Sequence, residues 1–266
     1  AEHPCPIMIF STLVDAETSF KAIQAGAVDV LAKPDISQFN EKSFRDTFFQ
    51  KIRAIGRIAG RRAETSESGK EKIRNSDGIK APAMLVMGAS TGGPKAVRAI
   101  LEKLPADLPV PAVLVQHLET GFDAGYCEWL SEKSSLRVQL IRQEVKPEKG
   151  TLYVAATDRH IIFKDGKITP FDGVKILNQK PSVDVLFKSA AGIFGPALLG
   201  VLLTGMGRDG ASGCLKIIQA GGITLVQDEF TSAIYGMPRE AVKLGAATEI
   251  LALEDIPGRI LEVLKN

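Results

Sequence analysis

The sequence predicts an α/β fold: a doubly wound, mostly parallel sheet with helices on both faces and a small antiparallel hairpin. Three observations carry this. From about Ala83 to the chain end, continuous apolar runs of strand length alternate with amphipathic stretches of helix length. That rhythm belongs to a parallel sheet buried on both faces. Asp165-Gly166 lies between two short strand-like runs and signals a tight hairpin. The composition is ordinary for a globular chain, with 45% apolar and 24% charged residues in 266.

Residues 1–62 form a first region, read as a strand (7–10), a helix (15–26), a second strand (28–32) and a long helix (43–61). Gly26 reads as a helix stop, and Pro34 after Lys33 ends the second strand because it offers no N–H to a ladder. This βαβα piece is too small to be a whole doubly wound domain. Residues 63–81 are rich in charge, Ser and Gly and nearly free of apolar side chains, as in a solvated, mobile linker. Residues 82–266 form the main domain. Its strands are expected near 84–87, 112–116, 138–141, 198–203 and 223–226, and its helices near 95–103, 123–131, 183–191, 211–220 and 239–244. The runs 152–154, 161–164 and 167–169 break the alternation and read together as an antiparallel excursion.

Several function classes are disfavoured. No run of about 18 apolar residues occurs, so no membrane helix is expected. The start AEHPCPIMIFSTL lacks the basic region of a secretory signal. A net charge of +2 argues against a dedicated nucleic-acid binder. Three cysteines lie far apart without C-x-x-C spacing, so a disulfide framework or zinc site is not expected, and a reducing cytoplasm fits. No His/Cys/Asp cluster has metal-ligand spacing, and no metal or cofactor is expected.

In open α/β sheets, ligands bind beyond the carboxyl ends of the strands. Three reactive residues follow apolar runs directly. Ser90 lies in Gly88-Ala89-Ser90-Thr91-Gly92, the G-x-S-x-G spacing of a nucleophile elbow between strand and helix. A packing turn or a phosphate cradle fits the same spacing, but neither a Walker pattern nor G-x-G-x-x-G is present. His117 ends the next run, AVLVQH, where a parallel neighbour would bring it beside Ser90. His160 is its competitor, in a hairpin position better suited to a structural or rim role; His3 is too near the chain end. Asp209 follows the most apolar run, LLGVLLTGMGRDG, where an N-cap for the helix at Ala211 is the alternative or additional role. Serine, base and carboxylate together favour a serine hydrolase over a nucleotide-binding module.

The stretches GASTGGP (88–94), QH (116–117), LYVA (152–155), RH (159–160), PSVDVLF (181–187), LLTGMGRDGASG (202–213) and QDEFTSAIYGMPREA (227–241) resemble the catalytic domain of the chemotaxis protein-glutamate methylesterases. The resemblance implies Ser90 as nucleophile, His117 as base, Asp209 as orienting carboxylate, an oxyanion-hole N–H at Met206 and a supporting Thr91. It implies demethylation of glutamyl esters on chemoreceptor helical bundles with release of methanol, and deamidation of some receptor glutamines. Residues 1–62 resemble the second half of a response-regulator receiver, with Ser11 and Lys33 as its switch residues. A chemotaxis histidine kinase would act on the full-length receiver. No phosphoacceptor aspartate falls at the right place in residues 1–62, so no response to small phosphodonors is expected. The half-receiver is expected to pack on the main domain or on a second copy, or to be poorly ordered. The chain departs from the family pattern at Leu118-Glu119 and Ala156-Thr157, both expected beside the cleft. The rival reading is a catalytically inactive receptor- or nucleotide-binding signalling module of the same fold.

Overall fold

The computed structural model describes residues 5–11, 15–33, 41–61, 71–72 and 81–265. The first region holds β1 (Met8–Ser11), α1 (Ala16–Gln24), β2 (Asp29–Ala32) and α2 (Lys42–Arg61). Strands β1 and β2 pair in parallel, with Met8 opposite Asp29 and Ser11 opposite Ala32. Asp15 caps α1 by accepting the Thr18 N–H at 2.6 Å. Pro34 and most of the stretch 63–81 lie outside the described residues. Within that stretch, β3 (Glu71–Lys72) adds an antiparallel strand to the main sheet, which linker composition gave no reason to expect.

The main domain runs β4 (Met84–Ala89), α3 (Gly93–Leu101), β5 (Ala112–Gln116), α4 (Asp123–Ser131), β6 (Arg137–Ile141), β7 (Thr151–Ala155), β8 (His160–Lys164) and β9 (Lys167–Phe171). It continues with α5 (Val183–Phe194), β10 (Leu198–Leu202), α6 (Ala211–Gln219), β11 (Ile223–Gln227), α7 (Met237–Lys243), β12 (Glu249–Leu251) and α8 (Ile256–Lys265). The sheet order is β3-β12-β11-β10-β4-β5-β7-β6. Every pairing is parallel except that of β3.

Two expectations need correction. The run 152–154 does not join the hairpin: β7 inserts between β5 and β6 as a parallel strand. Only β8 and β9 form the antiparallel pair, turning at Asp165 and Gly166, both at positive φ (50° and 73°). Strand β12 and helix α8 were not expected. The strand is only three residues long, and Pro257-Gly258 near the start of α8 reads locally as a turn, although proline is tolerated in a first helical turn.

Alternation along the central strands builds two cores. Leu85, Met87 and Ala89 of β4 face a layer that includes Val97 and Ile100 of α3, Leu130 of α4 and Ile260 of α8. Met84 and Val86 face the layer of Leu186 and Phe187 from α5 and Ile217 from α6. The first region docks on the first layer. Phe20 of α1, 2% exposed, packs its ring 5.3 Å from Tyr126 and 5.4 Å from Trp129. Burying one such ring contributes roughly 1.5–3 kcal/mol.

The winding reverses at β4. The chain moves from β4 to β5 on one side and returns later to place β10 on the other. A crevice therefore opens at the carboxyl ends of β10, β4 and β5, where such folds bind ligands.

Candidate active site

Ser90 is the residue after β4. The turn there has no room for larger neighbours. A Cβ at Gly88 would overlap the Val183 Cγ1, and Gly92, the N-cap of α3, adopts φ +77°. The Ser90 N–H donates to the Thr204 carbonyl at 3.0 Å, and the Ser90 carbonyl accepts the Gly93 N–H at 2.7 Å. Ser90 is thus held by its backbone from both sides while its side chain lines the crevice.

His117 follows β5, and its N–H donates to the Ala89 carbonyl at 3.0 Å. Its Nε2 lies 2.9 Å from Oδ2 of Asp209, 92 residues further on, beyond β10. Its Nδ1 is buried and, among the described residues, has no hydrogen-bond partner. A ring donating Nε2–H to Asp209 carries its free lone pair on Nδ1.

Asp209 is 2% exposed. Besides His117 it accepts the Ser182 hydroxyl at 2.8 Å, the Val183 N–H at 2.8 Å and the Asp184 N–H at 3.0 Å. These donors form the N-terminus of α5, where a helix favours negative charge. Burial works to raise the Asp209 carboxyl. The His117 hydrogen bond and charge, with those N-terminal donors, outweigh burial and hold it below the usual carboxylate range.

The expected cap at Ala211 is made by another residue. Gly210 is the N-cap of α6. Asp184, from the first turn of α5, accepts the Gly210 N–H at 3.0 Å and the Gly213 N–H at 2.7 Å. The two carboxylates are exchanged: Asp209 serves the start of α5 and Asp184 serves the start of α6. Burial raises the Asp184 carboxyl, and the nearby Asp209 charge adds to this against the Gly213 and Gly210 N–H groups.

The remaining candidates fall around this core. Met206 lines the crevice and is half-buried; among the described residues its N–H has no acceptor. Thr91 is buried, but its hydroxyl donates to Oδ2 of Asp29 in β2 at 3.0 Å rather than to the imidazole. Lys51 of α2 pairs with the same Asp29 oxygen at 3.0 Å. Lys33 lines the crevice as well. His160 is structural: 1% exposed, it accepts the Ser182 N–H at Nδ1 (3.1 Å) and lies 2.9 Å from the Val174 carbonyl at Nε2. It therefore steadies the same turn that feeds Asp209.

The sequence marks Gln116 only as half of the QH pair. Its buried amide donates to the Ser90 carbonyl at 2.9 Å and the His117 carbonyl at 3.0 Å, tying serine and imidazole backbones together. A polar residue closing a fully buried strand was the available signal. Among the described residues, no group of three or more His, Cys, Asp or Glu side chains could hold a metal ion.

The crevice has a volume of about 710 Å³. Leu118, Glu119 and Thr157, from the two stretches that depart from the family pattern, line it beside Ser90 and His117. A parallel α/β sheet presenting a glycine-flanked serine, an imidazole and a buried carboxylate at its switch point has the layout of a serine esterase.

The family description "CheB methylesterase" matches residues 85–260. A protein-glutamate methylesterase/protein-glutamine glutaminase of Pseudomonas fluorescens is 38% identical over 272 residues, spanning 99% of this chain and 79% of that protein. The protein-glutamate methylesterase FrzG of Myxococcus xanthus is 34% identical over 98% of this chain and 78% of its own. The crystal structure of the Thermotoga maritima CheB methylesterase catalytic domain superimposes with a TM-score of 0.66 at 34% identity, covering 69% of this chain and all of that one. This chain belongs to the CheB methylesterase family.

Proposed function

We propose that this chain hydrolyses γ-methyl esters of glutamyl residues in proteins and deamidates glutamine side chains at the same centre. The observation that carries the reading is the His117–Asp209 hydrogen bond of 2.9 Å, formed across the switch point beside the elbow that holds Ser90. Ser90 Oγ attacks the ester carbonyl while the free Nδ1 of His117 takes its proton. Asp209 holds the ring's orientation and stabilises the imidazolium, a service worth about 10⁴ in rate in protease triads. The Met206 N–H stabilises the oxyanion; removing one such donor costs on the order of 10²–10³ in rate. Imidazolium returns the proton to the departing methanol, and His117 then activates water to release glutamate. With a glutamine substrate, ammonia leaves in place of methanol.

The names of the relatives support this chemistry. The substrates are chemoreceptor helical bundles, and a chemotaxis histidine kinase acts on the complete receiver. Among the described residues no helix is long and apolar enough to cross a membrane, and a cytoplasmic location accords with the three unpaired cysteines. The boundaries 1–62, 63–81 and 82–266 remain the working division, with β3 as the part of the linker that joins the main sheet. The test is methanol release from methylated receptor membranes. The unaltered chain releases it and a folded Ser90→Ala variant does not; equal release by both rejects the serine mechanism.

A further inference from the structure

A second groove of about 640 Å³ adjoins the crevice, sharing Met206 as a common wall and reaching Asp209. Three guanidinium groups line it: Arg53 from α2, Arg208 from the loop between Met206 and Asp209, and Arg239 from α7. Arg53 and Arg208 are exposed and have no carboxylate partner among the described residues. Among the described residues, two carboxylates line the groove. Glu240 is already held by Lys243 at 2.9 Å and Arg239 at 3.5 Å, and Asp209 is spent on His117 and α5. With Arg239 paired to Glu240, Arg53 and Arg208 leave the groove locally positive on a chain whose net charge is only +2. Leu177 and Ile234 give it apolar patches.

Resting on the esterase reading above, the geometry points to this groove as the docking site for an acidic helical segment of the substrate protein, flanking the esterified glutamate. Arginine forks match carboxylates in a bidentate way. Arg208 is two residues from Met206, so it lies within about 7 Å of the oxyanion wall. Neighbours three or four residues away on a helix are about 5–6 Å apart, and the next turn adds about 5 Å. A helix placing its ester at Ser90 and running past the shared Met206 wall carries side chains one and two turns away into the groove that Arg208 and Arg239 line. Each hydrolysis also creates a carboxylate, so a segment with several target glutamates becomes a better fit for the groove as its neighbours are demethylated.

Two synthetic helical peptides test this, each with one glutamate γ-methyl ester and either Glu or Gln one and two turns away on both sides. The unaltered chain is expected to show a KM roughly tenfold lower for the Glu-flanked peptide, with the difference shrinking as salt is added. Arg53→Gln with Arg239→Gln, and separately Arg208→Gln, should erase that preference while kcat on the Gln-flanked peptide stays unchanged. Equal KM values for the two peptides on the unaltered chain overturn the docking site and leave the esterase reading standing. Hydrolysis of neither peptide counts against the esterase reading instead. In that event, anisotropy titration of the two peptides decides docking alone. Tighter binding of the Glu-flanked peptide that the arginine variants abolish supports the site, and equal binding overturns it.

Discussion

Asp209→Asn separates orientation of the imidazole from support of the fold. Local sequence suggests that asparagine would be structurally mild, since it caps helices as well as aspartate does. The hydrogen bonds indicate otherwise. Oδ1 of Asp209 accepts Ser182 Oγ and the Asp184 N–H, while Oδ2 accepts His117 Nε2 and the Val183 N–H. In Asp209→Asn one of these oxygens becomes NH₂, so whichever way the amide is turned a buried backbone N–H faces another donor. Leaving such a group unsatisfied costs about 1–3 kcal/mol, or roughly 2–12 °C in melting temperature for a domain of this size. The imidazole also loses its anionic acceptor, and a drop of about 10⁴ in turnover corresponds to about 5 kcal/mol of transition-state stabilisation. The sign with pH follows from linkage. The folded carboxyl lies below its unfolded value, so its stabilisation is complete above the ordinary aspartate range and is lost as pH falls through the folded value. The stability gap between the wild type and the variant should be full at pH 7 and should narrow on acidification. Asp184, raised first by burial, acts in the opposite sense in both proteins, and less so in the variant, which lacks the Asp209 charge that also raises it. The assays are calorimetry across pH and methanol release at pH 7. A variant that melts with the wild type at pH 7 refutes the donor accounting, and turnover within about tenfold of wild type refutes the orienting role.

Ser90→Ala should lower turnover by several orders of magnitude without changing the melting temperature, with any residual rate coming from oxyanion stabilisation. Gln116→Leu leaves the Ser90 and His117 carbonyls without their tether. It should cost about 1–3 kcal/mol of stability and depress kcat more than it raises KM; an unchanged kcat would show that the tether does not position the pair. Asp29→Ala releases the Thr91 hydroxyl toward the crevice and frees Lys51, so basal turnover should rise. A rate at or below that of the wild type would mean that this contact does not restrain the site. In the folded chain only Cys5 should react quickly with a thiol reagent, because burial pushes the Cys127 thiol up to about 12 and raises that of Cys214 as well; rapid labelling of two or more thiols by mass spectrometry would contradict this.

What could be read from the sequence was what local pattern controls. Apolar runs located β4, β5, β10 and β11 within a residue or two, and glycine spacing located the turn at Ser90. Placing reactive residues at strand ends singled out Ser90, His117 and Asp209, because a parallel sheet directs those ends to one edge. Lateral order was hidden: β7 is as apolar as its neighbours, and nothing in its own residues says that it sits between β5 and β6. The exchange of caps was hidden for the same reason. An aspartate just before a helix is a local signal, yet the donors that claim Asp209 come from 26 and 25 residues earlier. Gln116 was hidden because its partners are backbone carbonyls, which carry no sequence signature.

The crossed carboxylates also govern when activity can arise during folding. Neither helix start is completed by its own segment: Ser182 caps only the Val185 N–H of α5, whose Val183 and Asp184 N–H groups need Asp209, and α6 needs Asp184. The imidazole that completes the group comes from 92 residues away. Contacts of such long range close late, after local helices and neighbouring strands have formed. A chain that has regained its helical content but not the β10–β4–β5 alignment would therefore be inert toward esters. During refolding, methanol release should lag behind the far-ultraviolet signal, so that a partly assembled chain has no means of cutting esters indiscriminately.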